Sequence, residues 1–329
     1  MKKIWKYGLT GMILALVLAV LLPFGTDARE ADGTGEAGWK TVDGNRYYIN
    51  ENGEMELGLT KIDGQQYYFS MDKDTLGQMQ TGWVKIKGKK YFFGTGKKTK
   101  GRMQTGRVLT LADGQYFVKK SGVMASNEVV KLPSGKYAYF KADGKRLVKS
   151  AKLTVKGKTY ISDKKGFLYH DKLIRFKGTY YYTKQNAVVR VLPDQKAAKV
   201  AARLKGDLKA AYLYARNLSY WGYRKFKKSW GTKKLAEYGI THHRGNCYVY
   251  AAVFRDIAYA MGYDAHQIGG FVKLRGGNGF HSWVEIEKDG KILVYDPEHS
   301  HWQEDEDASF GFEYGTKGTY IYLNYKRMN

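Results

Sequence analysis

Gly82-Trp83-Val84-Lys85-Ile86-Lys87-Gly88-Lys89-Lys90-Tyr91-Phe92-Phe93 reads as two short strands folded back on one another. Lys87-Gly88 lies between two runs rich in β-branched and aromatic residues. An Xaa-Gly pair in that setting signals a two-residue hairpin turn, because such a turn needs positive φ. The pattern recurs in both directions. Tyr48, Tyr68, Phe92, Phe117, Tyr139, Tyr160 and Tyr181 follow one another at steps of 20 to 25 residues. Each comes after a turn signal: Asp43-Gly44, Asp63-Gly64, Lys87-Gly88, Asp113-Gly114, Ser134-Gly135, Lys156-Gly157 or Lys177-Gly178. One hairpin cannot bury its aromatic face alone, so a period near 20 predicts stacked hairpins, an all-β hairpin-repeat solenoid.

Gly38-Trp39 with Asp43-Gly44-Asn45-Arg46-Tyr47-Tyr48 and Gly53 resembles a cell-wall-binding repeat of the choline-binding and glucan-binding type. Gly77-Gln78-Met79-Gln80-Thr81-Gly82-Trp83, continued by Lys87 to Phe93, resembles it more closely, and the likeness covers residues 38–185. In that family the Trp of the Gly-Trp pair and the aromatic pair cage a quaternary ammonium or stack on sugar. The resemblance implies Trp39, Trp83 and Tyr91 as ligand-binding candidates. After Trp83 the Trp position becomes Arg107 and then other residues, so complete cages concentrate around Trp39 and Trp83. The remaining aromatics read as the core between hairpins.

At 329 residues the chain is longer than one domain usually needs. Lys2, Lys3 and Lys6, an apolar run over residues 9–24 and the small residues before Ala28 read as a signal peptide, residues 1–28. An uncleaved membrane anchor is the alternative, although the apolar run is shorter than the roughly 20 residues that span a bilayer comfortably. The formal net charge is +25, and its excess is uneven. Residues 29–193 carry 32 basic and 15 acidic side chains, residues 194–329 carry 21 and 15. A basic surface attracts polyanions. With an export leader the expected partner is an anionic cell-wall polymer or glycan and not nucleic acid, and the expected location is secreted and cell-wall associated.

Near Pro193 the pattern changes, and a second domain is expected over residues 194–329, after repeats over 29–193. Pro193-Asp194 can start a helix, and Ala198, Ala201, Leu208, Tyr212, Ala215 and Leu218 continue with mostly helical spacing. Arg244-Gly245-Asn246-Cys247-Tyr248 then opens a second helical stripe through Tyr250, Phe254, Ile257 and Met261, with Asn246 as N-cap and Gly262 as terminator. Cys247 is the only cysteine and falls in the first turn, where helix amides and the positive dipole end favour an anion. It has no disulfide partner in its own chain, which leaves a buried hydrophobe, an intermolecular bridge or a kept nucleophile. Residues 281–287 alternate as a strand, Asp289-Gly290 turns it, and residues 291–296 return. Pairing Lys288 with Lys291 places His281 and Asp296 on one face as diagonal neighbours, within reach of a side-chain hydrogen bond.

Gly245-Asn246-Cys247-Tyr248, Met261-Gly262-Tyr263, Ile268-Gly269-Gly270, His281-Ser282-Trp283-Val284-Glu285 and Asp296-Pro297 together resemble the transglutaminase-like (papain-like) superfamily. The resemblance implies an α+β domain with Cys247 as nucleophile, His281 as base and Asp296 as orienting carboxylate. It implies a transglutaminase-like cysteine acyltransferase or cysteine peptidase that acts on a protein or peptide substrate. An amine acceptor makes it a cross-linker, water a peptidase or deamidase. The contrasting reading is a non-catalytic wall-binding or adhesion protein built on the same scaffold. The family also places an upstream side chain at the oxyanion, for which Trp221 and Trp230 are the candidates. No metal or other cofactor is expected. His242-His243 and His299 with His301 lack a strong zinc spacing, and Glu304-Asp305-Glu306-Asp307 lacks the glycine of a calcium loop.

Overall fold

The computed structural model describes residues 36–222 and 230–328. The expected leader lies outside the described residues. The chain divides into two compact units, one through Gln80 and one from Thr81.

In the first unit the strand Gly38–Val42 pairs with Asn45–Ile49, and Gly58–Ile62 pairs with Gln65–Phe69, both antiparallel. Asp43 and Gly44 have φ of 49° and 77°, Asp63 and Gly64 of 49° and 75°, the left-handed pair that a two-residue turn matching strand twist demands. Trp39 stands opposite Tyr48 across its hairpin, and its ring meets Tyr67 of the next hairpin edge-on at 4.9 Å. Ile62, Tyr67 and Phe69 are buried beneath them. Aromatic contact between neighbouring hairpins therefore replaces a conventional core.

The second unit begins with more hairpins. Gly82–Ile86 pairs with Lys89–Phe93, Arg107–Leu111 with Gly114–Val118, Glu128–Lys131 with Tyr137–Phe140, Ala151–Val155 with Lys158–Ser162, and Lys172–Phe176 with Thr179–Thr183. Lys87-Gly88, Lys156-Gly157 and Lys177-Gly178 turn with both φ positive, as their sequence predicts. Two expected turns differ. Gly114 already belongs to the returning strand, opposite Leu111, so Ala112 and Asp113 make that turn. Pro133 has no amide hydrogen to give to the ladder, and the connection at Ser134-Gly135 widens to span residues 132–136.

A mixed α+β region follows. Asp194 caps α1 (Gln195–Arg203) by accepting from the amides of Lys196 and Ala197. The helical spacing read through residue 218 breaks at Lys205-Gly206, both with positive φ, and Asp207 caps a separate α2 (Leu208–Arg216). Next come α3 (Thr232–His242), which the sequence pattern did not reveal, and α4 (Cys247–Ala260). A five-stranded antiparallel sheet runs in the order Phe310–Phe312, Lys291–Tyr295, Gly277–Lys288, Ala265–Leu274, Tyr322–Arg327. The short helix α5 (Pro297–His301) follows the strand Lys291–Tyr295. Helix α4 is the hub: Tyr250, Phe254 and Ile257 are fully buried, against α1, α2 and α3 on one side and the sheet on the other.

The last hairpin belongs to this core. Leu173, Tyr180 and Tyr182 pack in the same cluster as α1 and α4. Gly262, which ends α4 at φ 104°, lies so close to the Tyr182 ring that an added Cβ would sit 2.2 Å from it. Arg190 donates to the carbonyls of Tyr259 and Tyr263 beside it. Among the described residues no helix is long and apolar enough to cross a membrane.

Candidate active site

Three elements converge on one cleft. Asn246 caps α4, its side chain accepting from the amide of Val249 at 3.3 Å, which places Cys247 at the first helical position, as the sequence predicts. Gly245 precedes it because an added Cβ would fall 2.3 Å from Val249. The strand Gly277–Lys288 carries His281, and its hairpin keeps the register Lys288 to Lys291 and Val284 to Tyr295. Asp296 follows directly and caps α5, with Oδ1 accepting from the amide of His299 at 3.1 Å. Its other oxygen meets His281 Nε2 at 2.7 Å. Cys247 lies within hydrogen-bonding reach of the same imidazole. The structure thus brings Cys247, His281 and Asp296 together, all buried, with Cys247 and His281 on the wall of a cleft of about 330 Å³ and Asp296 behind the imidazole.

Charge and burial oppose each other here. Burial alone would lower the pKa of His281, but the Asp296 carboxylate, by charge and hydrogen bond, and then Cys247 raise it well above 6.5. Burial alone would raise Asp296, yet His281 and the His299 amide hold it below the usual carboxylate value. The pair therefore favours an imidazolium paired with a carboxylate. Glu298, on α5, is also buried. Burial pushes its carboxyl up, with His281 and a hydrogen bond from Trp302 opposing.

Several groups that sequence reasoning missed hold this arrangement. Tyr322, from the far edge strand, donates to Asp296 Oδ2 at 2.8 Å, and Tyr212 of α2 donates to the Asp296 carbonyl at 3.1 Å. The rings of His281 and Trp283 stack at 6.1 Å on the strand face they share. Trp283 Nε1 donates to the Tyr314 hydroxyl, which donates to Glu285. Alternation along the strand marked Trp283 and Glu285 as neighbours of His281. Nothing local marked tyrosines from distant segments.

Other expected residues fall elsewhere. Neither Trp221 nor Trp230 lines the cleft, where the upstream aromatic is Tyr220. Trp221 stacks under the Arg244 guanidinium at 3.3 Å, and Trp230 lies under Lys234 at 4.6 Å. His299 Nδ1 pairs with Ser309 Oγ, and His301 Nδ1 with the Arg216 carbonyl. The acidic run meets basic side chains of α2, Asp307 with Lys209 and Glu306 with Arg216.

In the hairpins, the Arg46 guanidinium sits over the Trp39 ring at 4.0 Å, where a cationic ligand would stack. Trp83 packs edge-on against Phe92 at 5.0 Å and Tyr116 at 5.1 Å. Because Trp83 opposes Phe92 across the hairpin, Tyr91 lies on the other face, bridged to Val123. The structure does not bring Tyr91 to Trp83.

Comparison with known proteins agrees with these two regions. Residues 194–303 match the family model of the transglutaminase-like superfamily. Residues 57–98 and 81–129 match that of a choline-binding repeat, and residues 37–55 that of a cell wall binding repeat. No curated protein matches the chain. Among solved structures it is similar to choline binding protein F from Streptococcus pneumoniae, at 26% identity over 47% of each chain, with a TM-score of 0.37. It is also similar to the modular autolysin LytC from Streptococcus pneumoniae, at 18% identity over 47% of this chain and 42% of that one, TM-score 0.29. Truncated alternansucrase from Leuconostoc mesenteroides matches at 23% identity over 45% of this chain and 12% of that one, TM-score 0.27. The match spans under half the length of each of these proteins. The chain carries a transglutaminase-like core domain preceded by choline-binding repeats, which make it a cell-wall-associated surface protein.

Proposed function

We propose that the chain is a thiol enzyme of the cell surface that cleaves amide bonds through Cys247, His281 and Asp296. The observation that carries this reading is the single buried imidazole that contacts both the helix-start thiol and a buried carboxylate. In the proposed reaction the Cys247 sulfur attacks a side-chain or peptide amide carbonyl, and a C–S bond forms. His281 passes its proton to the leaving nitrogen as the C–N bond breaks, which leaves a thioester. An amine or water then attacks the thioester, completing acyl transfer or hydrolysis. Asp296 holds the imidazole in orientation and stabilises its charge, with Tyr322 and the His299 amide fixing the carboxylate in turn.

The repeats supply the address. Their proposed ligand is a choline-bearing, anionic wall polymer, bound by aromatic side chains and by the basic surface of residues 29–193. Residues 1–28 are proposed as the export leader and residues 194–329 as the catalytic domain. The discriminating experiment incubates the full chain with a glutamine-bearing peptide and a labelled amine, and follows products by mass spectrometry. Amine incorporation or ammonia release that vanishes in a folded Cys247→Ala chain supports the reading. Neither product from the wild-type chain would favour the non-catalytic scaffold.

A further inference from the structure

The proposed mechanism leaves a buried acid on the cleft wall unused, and its position bears on what attacks the thioester. Glu298 Oε1 accepts from Trp302 Nε1 at 2.6 Å, which fixes the carboxyl. Its other oxygen stands 3.7 Å from His281 Nδ1, beyond hydrogen-bonding range. Nε2 of that ring is engaged by Asp296, so Nδ1 is the nitrogen left to exchange a proton with a reacting group. An atom that sits within about 3 Å of Nδ1, as a nucleophile must, can at the same time reach Glu298 Oε2. Glu298 is the only acidic residue among the described residues that line the cleft. The other walls are apolar or aromatic: Val272, Leu274, Phe280, Tyr220 and Tyr320. A cleft with apolar and aromatic walls and one fixed carboxylate is complementary to an alkyl chain that ends in an ammonium. It offers water no comparable advantage.

We infer that Glu298 selects the second substrate of the proposed thiol reaction, by receiving the ammonium group of a primary alkylamine, such as a lysine side chain, beside His281 and the acylated Cys247. This rests on the thioester reading above. The ammonium gives one proton to the Glu298 carboxylate, which passes it on to water. The neutral amine attacks the thioester carbonyl carbon. The C–N bond forms, the C–S bond breaks, and the second proton goes to His281. The sulfur leaves with its electron pair beside the imidazolium, and the starting state is restored. Glu298 touches the reacting nitrogen and is a catalytic residue for transfer to amines in particular.

Cys247 is the only cysteine, so alkylation of the chain by iodoacetamide reads this cleft directly. The probe is n-pentylamine, which is protonated at neutral pH, with 1-pentanol as its uncharged counterpart. In the wild-type chain, saturating pentylammonium should slow alkylation about tenfold, the scale of one charge-assisted hydrogen bond, and pentanol should protect far less. Within each variant the ratio of unprotected to protected rates is compared. It should fall to near one in Glu298→Gln and recover in part in Glu298→Asp. Equal protection by pentanol and pentylammonium in the wild-type chain overturns the inference without any variant. Undiminished protection of Glu298→Gln does the same. Failure of the thiol-enzyme reading shows separately, as a thiol alkylated no faster in the native chain than in a urea-unfolded one; that overturns the role in amine transfer, and the protection ratio then reports only whether Glu298 receives the ammonium.

Discussion

The hairpin series and the cleft domain solve burial in opposite ways. In the hairpins each aromatic finds its partner across the strand pair or in the next repeat, as Trp39 does with Tyr48 and Tyr67 and Trp83 with Phe92 and Tyr116. The cores are small and repeated. In the α+β region one cluster runs from the last hairpin through α4 to the sheet, a second surrounds Trp283 and Tyr322, and an imidazole and two carboxyls are buried beside them. Short-range contact suffices to build a docking surface. Proton-transfer chemistry needs groups drawn from distant segments and removed from water, because only there does a neighbouring charge shift a pKa far.

The difference sets where substitutions should act. The largest expected effect lies in the cleft. His281→Ala should lower turnover by about 10⁵, and Asp296→Asn by about 10³ to 10⁴, because the latter misorients the ring without removing the base. Steady-state kinetics on chains shown to be folded by circular dichroism measures both. Equal, small losses in the two would break the triad.

The next effect tests where the hairpins end energetically. Tyr182→Ala should destabilise the α+β region by about 3–5 kcal/mol, the usual cost of deleting a buried aromatic. Trp39→Ala should leave the unfolding transition of that region in place. Denaturant unfolding of the full chain, followed by Cys247 accessibility, separates the two outcomes. If Tyr182→Ala leaves that transition where it was, the last hairpin is an ordinary repeat and not part of the α+β core.

A pH effect follows from the buried ion pair. The folded-state pKa of His281 is raised, so its stabilising contribution is complete below about 6.5, its unfolded value, and is lost as pH rises through the folded value. That of Asp296 is lowered, so its contribution is present above about 3.8 and is lost as pH falls further. Thermal unfolding should therefore show a decline on the alkaline side of 6.5 that His281→Phe lacks. Parallel pH profiles for the two chains would mean that the pair stores no such energy.

The smallest effect concerns docking. Arg46 occupies the face of Trp39, so Trp83→Ala should weaken binding to choline-bearing wall material about fivefold, and Trp39→Ala less. Sedimentation with purified walls reads both. The opposite ranking would identify Trp39 as the ligand-stacking ring.

The sequence disclosed what short-range rules govern. Xaa-Gly pairs fixed most hairpin turns, Asn246 fixed the start of α4, and Asp289-Gly290 fixed the register that aligns His281 with Asp296. The rule failed where Pro133 widened a turn and where Lys205-Gly206 broke a helical stripe between two aspartate caps. Tyr322 and Tyr212 could not be found by local pattern, because they reach Asp296 across tertiary contacts. The same register, carried past Tyr295, sets Glu298 opposite His281; the strand ends before it, yet α5 leaves its carboxyl 3.7 Å from the imidazole. Strand alternation sets Tyr91 and Trp83 on opposite faces of their hairpin, so the two candidates do not share one site.

The central claim is that Cys247 forms a covalent acyl intermediate. It is tested most directly by rapid acid quenching of the full chain with an excess of a glutamine-bearing acyl donor, followed by intact mass and peptide mapping. The account predicts one acyl adduct per chain, carried as a thioester on Cys247, released by hydroxylamine and absent from Cys247→Ala. Turnover of the donor by Cys247→Ala at the wild-type rate, or an adduct on any other residue, would contradict it.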